Sequence, residues 1–244
     1  MSVSPSHPEA RLAAHVRACR VGDQMIFLDL LRSKYIGMGG PQICALSDMI
    51  LGTVAANGLP TQTSDTAPLG KCIRRLRKQQ LLSNEPALEP TERSPVLDTP
   101  AATWAVDVPD RQVPFEWGQL LRLWRSAFIA SAWLRRRSLA DIAQRLVALR
   151  ARQPSRQRQA SPEAMRASVE SYMRLRPFAL SANDRCLNDS LTLIHFLATQ
   201  GLFARWVIGV RVNPFGAHSW AQVGDVVLND YPERVRHFQP ILIV

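Results

Sequence analysis

The pattern of apolar and polar positions divides the chain into a strand-rich start, a proline-rich middle and a mixed second half. Val16-Arg17-Ala18-Cys19-Arg20-Val21 alternates with period two, and Gly22-Asp23 marks a turn. Met25 to Leu30 is apolar enough for a second strand, and Lys34-Tyr35-Ile36-Gly37-Met38 offers a third. Pro41 opens a helix-like segment to Leu51, with proline in its first turn. Thr66-Ala67-Pro68 opens a stronger helix through Leu82. Leu69, Cys72, Ile73 and Leu76 share one face of it, while Lys71, Arg74, Arg75, Arg77 and Lys78 point outward. Strands followed by helices predict a first domain over 1–85. Residues 86–114, rich in Pro, Glu and Thr, predict an extended linker.

The second half, 115–244, opens with a helix over Phe115–Leu134 that carries Trp117, Trp124 and Trp133, expected in the core in preference to a docking face for a partner. Ser138 caps the next helix, which runs to about Arg152, and 153–161 form a basic loop. Ser161-Pro162-Glu163 starts another helix, by serine at the cap and proline at the first position. Asn188–Gln200 is helical by period, with Leu187, Leu191, Ile194 and Ala198 on one face, and Gly201 stops it. Strands follow over Phe203–Val212, Ala217–Val223, Val226–Leu228 and Pro240–Val244, so the fold class is α+β.

Composition narrows the picture. The 244 residues are 46% apolar, a globular proportion long enough for two domains. No apolar run reaches the roughly 18–20 residues of a membrane span, and the first 20 residues hold no signal-peptide core. Cys19, Cys44, Cys72 and Cys186 form no CxxC pair and no metal-ligand spacing. They read as thiols of a reducing, cytoplasmic compartment, with no metal expected. Lys and Arg number 30 against 20 Asp and Glu, a net charge of +10, and all but three of the basic residues are arginines. Such a balance invites a nucleic-acid reading. Many of the arginines fall on a solvated helix and in the connectors around 135–158, which weakens it, and nucleic acid is not expected as a partner.

One constellation carries chemistry. Cys186 sits at the start of a helix, where unpaired N–H groups and the helix dipole favour thiolate. His218 lies 32 residues on in a strand, and Asp230 follows the next strand after a hairpin at Gly224. A nucleophile on a helix end, a base on one strand and an orienting carboxylate on the next is what acyl transfer needs. His195, His237 and Asp225 are rivals. His195 lies about 180° around the helix from Cys186, and Asp225 suits the hairpin turn. The other three cysteines fall in apolar-periodic positions and read as small buried hydrophobes.

At these residues the chain resembles a known family. Cys186-Leu-Asn-Asp-Ser-Leu-Thr-Leu-Ile-His-Phe-Leu, Val207-Ile-Gly-Val-Arg, Pro214-Phe-Gly-Ala-His218-Ser-Trp220 and Val227-Leu-Asn-Asp230 occur in the order found in the maturation proteases of lasso peptide biosynthesis. The resemblance covers about residues 110–244. It implies a papain/transglutaminase-like cysteine hydrolase domain with the triad Cys186, His218 and Asp230. It also implies that the first domain is a fused, winged-helix-like module that recognises the leader of a precursor peptide. The leader would add as a strand along Lys34, Tyr35, Ile36 and Met38 and pack on Leu69, Ile73 and Leu76. The family cuts the leader from the precursor, and an asparagine-synthetase-like lactam synthetase then closes the freed amine. Its proteolysis depends on ATP, for which no phosphate cradle is evident here. Two other readings are a winged-helix nucleic-acid-binding regulator and a transglutaminase-type acyltransferase using the same triad.

Overall fold

The computed structural model describes residues 12–40, 66–83, 97–105, 117–152, 161–180 and 186–244, with backbone alone at 66–69. Cys44 and the helix expected over Pro41–Leu51 lie outside the described residues. The chain forms two units, Met1–Glu92 and Arg93–Val244.

In the first unit, β1 (Val16–Val21), β2 (Gln24–Asp29) and β3 (Lys34–Gly39) form an antiparallel sheet in that order. Gly22, at φ +61°, makes the tight first turn, a left-handed conformation that costs glycine little. Alternation puts Val16, Ala18, Met25, Phe27, Ile36 and Met38 on one face, against Leu76, Leu81 and Leu82. Leu76 belongs to α1 (Thr66–Lys78), shorter than the helix expected through Leu82. The reason is the cap: Gln80 turns left-handed (φ +60°). Leu81 N–H then bonds the Leu76 carbonyl and Gln80 N–H the Arg77 carbonyl. Leu82 is released to bridge Leu12. Lys71, Arg74, Arg75, Arg77 and Lys78 are exposed, as expected.

The second unit holds a five-stranded sheet of β5 (Arg205–Arg211), β6 (Gly216–Val223), β7 (Val226–Val227), β8 (Gln239–Ile243) and the short β4 (Ala102–Thr103), in the order β4-β7-β6-β5-β8. All neighbours are antiparallel except β4 beside β7. Part of the stretch read as linker, 97–105, thus belongs to this sheet. Two residues of strand are too short to leave a period in the sequence. They are held by Ala101 N–H on Asp225, Gln222 Nε2 on the Asp98 carbonyl and Arg236 Nε on the Pro100 carbonyl.

The helices of this unit are α2 (Trp117–Arg136), α3 (Leu139–Ala151), α4 (Pro162–Leu175), α5 (Cys186–Ala198) and the one-turn α6 (Pro232–Val235). Ser138 and Asp141 form a reciprocal capping box at α3, and Ser161 caps α4. α5 packs against α2 and α4 and against β6 and β5. Every residue of α5 from Asp189 to Ala198 is buried, so this helix is central rather than one-faced. α2 meets it with Leu120, Leu123, Ser126, Ala127 and Ala130, mostly small side chains that permit close approach. Trp117 and Trp124 are 75% and 49% exposed, against the core position expected of them, and Trp133 is half-buried. Among the described residues no helix is long and apolar enough to cross a membrane.

Leu76→Ala is expected to destabilise the first unit by about 2–5 kcal/mol, since a fully buried leucine leaves a cavity. Denaturant unfolding of the full chain, with fragments 1–92 and 93–244 followed by hydrogen exchange, checks that the loss is confined to the first unit.

Candidate active site

Cys186 is the first residue of α5, two residues earlier than the start expected at Asn188. Its half-buried thiol lies at the helix end, where N–H groups lack intrahelical partners. The backbone N–H groups of Leu187 and Ser219 donate to the sulfur, and His218 hydrogen-bonds it. Burial alone pushes the thiol up, but His218 and the two N–H groups outweigh it and hold the thiol below its ordinary value.

His218 lies near the start of β6 and is buried. Strand alternation turns Ser219 toward α5, where its hydroxyl meets Ser190 Oγ at 2.8 Å. His218 and Trp220 face the other way, their rings stacked with centroids 6.2 Å apart. Phe238 lies tilted against the imidazole, with ring centroids 5.2 Å apart. Nε2 of His218 bonds Asp230 Oδ2 at 2.5 Å, which leaves Nδ1 for the thiol. Burial lowers the affinity of the ring for a proton, but the bonds to Asp230 and Cys186 raise it further, to about 9. With the thiol lowered and the imidazole raised, the pair favours thiolate and imidazolium.

Asp230 follows β7 and is fixed at several points. Its Oδ1 accepts from Tyr231 N–H at 2.8 Å, and its carbonyl accepts from Thr103 Oγ1 of β4 at 2.7 Å. Burial raises its pKa, but the His218 bond, Tyr231 N–H and the Arg234 charge 3.8 Å away outweigh it and keep the carboxyl ionised below its usual range. The hairpin expected at Gly224 forms, with Gln222 opposite Val227 and Gly224 at φ +56°.

The rivals separate cleanly. His195 is buried elsewhere on α5, its Nδ1 3.0 Å from Ser126 Oγ and its ring edge-on to Trp133. Burial, with Arg125 nearby, lowers it to about 4, so it is a neutral core histidine at pH 7. His237 is exposed, and Asp225 sits in the hairpin turn. Cys19 is buried, which pushes its thiol up to about 12, and Cys72 is half-buried on α1. Among the described residues no group of His, Cys, Asp or Glu is placed to hold a metal ion.

The leader-contact candidates divide. Lys34 is exposed, and Tyr35, Ile36 and Met38 are half-buried on β3. Ile36, Met38 and Ile73 pack against the core of the first unit. Leu76 is wholly buried there and has no surface left for a peptide, which corrects its assignment as a contact residue. The side chain of Leu69 lies outside the described residues.

Several residues that shape the site carried no signal of their own in the sequence. Thr103 holds the Asp230 backbone from a strand of two residues. Gly209 lies opposite His218 in the ladder, and a Cβ there would sit 2.8 Å from Phe238 Cβ and 2.9 Å from the Trp220 ring. Asp189 and Asn229 bond each other across α5 and the exit of β7. Their one visible trace was a polar Asn188-Asp189-Ser190 run inside an apolar helix. Gly209→Ala is expected to cost about 1–3 kcal/mol through overpacking and to displace the rings that flank His218. Thermal melting reads the first effect, and the shift of the His218 ring resonances in NMR reads the second.

Three comparisons bear on this arrangement. Residues 125–243 match the model of the transglutaminase-like superfamily. Over 47 residues the chain is 47% identical to the microcin J25-processing protein McjB of Escherichia coli. That stretch is 19% of this chain and 23% of the relative, so the match spans under a quarter of that protein. No solved structure matches the chain at significance. The helix-borne cysteine, strand-borne histidine and following aspartate all fall within the stretch that is similar to the transglutaminase-like superfamily, and the resemblance of the chain to the lasso peptide maturation proteins is borne out.

Proposed function

We propose that the chain is a cysteine peptidase that cleaves the leader from a lasso precursor peptide. The observation that carries this reading is the unbroken hydrogen-bonded run from the Cys186 thiol through His218 to Asp230. In the proposed reaction the Cys186 thiolate attacks the carbonyl at the leader–core junction. His218 then gives its proton to the departing amine of the core. The bond broken is the peptide bond, and the bond formed is a thioester between Cys186 and the leader. Water activated by neutral His218 hydrolyses that thioester and regenerates the thiol. Asp230 keeps the ring in the required tautomer and orientation throughout. Backbone N–H groups at the start of α5, that of Cys186 first, are suited to the oxyanion.

The first unit supports a role in leader binding. Among the described residues β3 is the terminal strand of its sheet, paired with β2. A terminal strand suits strand addition, in which main-chain hydrogen bonds give affinity and side-chain pockets give register. Lys34, Tyr35, Ile36 and Met38 lie along β3, and the exposed cations of α1 suit an acidic leader. The freed amine of the core then passes to an asparagine-synthetase-like lactam synthetase. A requirement for ATP, in this reading, is met by that partner.

Incubation of the full chain with a precursor peptide, read by mass spectrometry, tests the proposal. Cys186→Ala is expected to abolish cleavage while leaving leader affinity unchanged; cleavage that persists overturns the assignment. Asp230→Asn is expected to lower turnover by on the order of 10²–10⁴-fold. Adding an amine acceptor separates hydrolysis from transglutaminase-type transfer: a leader–amine conjugate in place of free leader acid favours transfer.

The pH dependence follows from the directions at the site. Below the lowered value of Cys186 the thiolate is protonated and the rate falls. Above about 9, His218 loses the proton it must give to the leaving amine, and the rate falls again. The kcat/KM profile is therefore expected to be bell-shaped, with its alkaline limb near 9. Linkage has the matching sign. The raised His218 value contributes stability that is complete below 6.5 and lost as pH rises through about 9.

A further inference from the structure

Asp189 is a carboxylate in the interior, 3% exposed, on the same turn of α5 as Cys186. Residues three apart on a helix are neighbours on its surface. Its Oδ1 accepts from the Tyr172 hydroxyl of α4 at 2.8 Å and from Arg176 Nε at 2.9 Å. Its Oδ2 accepts from Asn229 Nδ2 at 2.8 Å. Asn229 in turn uses Oδ1 to accept the Ala221 N–H of β6 at 2.9 Å. Asn229 is the residue immediately before Asp230. One carboxylate thus joins the helix that bears the thiol to the backbone that bears the orienting aspartate.

An apolar residue of similar size would fill this space at lower cost, because a buried charge has to be compensated bond by bond. What an apolar residue lacks is direction. The amide of Asn229 is held in one orientation, between an acceptor on α5 and a donor on β6. Thr103 fixes the far side of the same backbone at the Asp230 carbonyl. Among the described residues, the ion pairs around this end of α5 are His218 with Asp230, Arg234 with Asp230, and Arg176 with Asp189.

We infer that Asp189 is a positioning residue: by holding Asn229 it sets Asp230, and through it the His218 ring, against the thiol on its own helix. The inference rests on the cysteine hydrolase reading. It assigns Asp189 no contact with substrate.

The test uses the full chain and two readouts. One is the pH dependence of iodoacetamide alkylation of Cys186, followed on the Cys186 peptide by mass spectrometry. The other is turnover of a precursor peptide. Asp189→Asn points an amide at an amide and breaks the link. The alkylation midpoint is expected to move upward and turnover to fall on the order of 100-fold, the scale of a small misplacement at a reacting centre. Asn229→Asp sets two carboxylates face to face and is expected to do the same. The double variant Asp189→Asn with Asn229→Asp exchanges donor and acceptor. Residue 229 still accepts Ala221 N–H, so the double variant is expected to recover most of both losses. Should Asp189→Asn fail to fold, Asn229→Ala carries the same expectation. A midpoint and turnover at the unsubstituted level in Asp189→Asn overturn the inference. So does a double variant no better than the worse single one. If Cys186 of the unsubstituted chain alkylates no faster than an ordinary thiol, the hydrolase reading itself falls. Fast alkylation there with no shift in the variant overturns the positioning role alone.

Discussion

An imidazole ring presents two nitrogens on different edges, and at His218 both are engaged. Nε2 meets Asp230, which leaves Nδ1 for the thiol of Cys186 that the ring also hydrogen-bonds. The two partners come from unlike elements, a helix N-terminus and the exit of a short strand, so the ring tolerates little relative movement of either. Much of the second unit reads as the means of meeting that constraint. Trp220 and Phe238 pack against the ring, and Gly209 leaves room for both. Thr103 pins Asp230 from the sheet edge, and Asn229 is tied to α5.

The same constraint explains the amount of polarity inside this unit. α5 is buried on all sides, yet it carries Asp189, Ser190, Thr192 and His195. Each has a hydrogen-bond partner. Ser190 joins Ser219 and the Trp206 indole, Thr192 returns to the Asn188 carbonyl, and His195 meets Ser126. Satisfied buried polar groups contribute little net stability, but they fix orientation, and unsatisfied ones are costly. The interior of this helix therefore has one low-energy arrangement relative to the sheet. The contrast between two buried histidines of this unit, His195 on α5 and His218 on β6, is electrostatic. His195 is buried without a carboxylate and stays neutral. His218 is buried with one and holds its proton to about 9.

How far the sequence could be read depended on range. Turns and caps were legible: Gly22, Gly201 and Gly224 adopt the left-handed backbone that marks their turns, and Ser138 and Ser161 cap helices. These are local devices, and their residues lie within a few positions of what they bond. The strands β1–β3 and β5–β8 follow their alternation to within two residues. Errors arose where a face was chosen by something distant. Trp117 and Trp124 were expected inside because they are large and apolar. The face of α2 that is buried instead holds Leu120, Leu123, Ser126, Ala127 and Ala130. Leu76 was one of several apolar residues on α1, and only the packed core shows that it has no free surface.

The candidate site divides along the same line. Sequence by itself determined the chemistry on offer: a thiol at a helix start, an imidazole on a strand, an aspartate past a hairpin, and the order in which they come. It also determined the hairpin that brings the last two close, because a glycine turn between alternating strands acts over a few residues. Tertiary structure alone decided that the thiol of Cys186, 32 residues upstream of His218, meets its ring. It alone recruited Thr103, Gly209, Asp189 and Asn229 to hold the meeting in place. The reason is physical. Hydrogen bonds between a helix, a hairpin and an edge strand depend on how three elements pack, and packing is set by the whole core rather than by any segment of the chain.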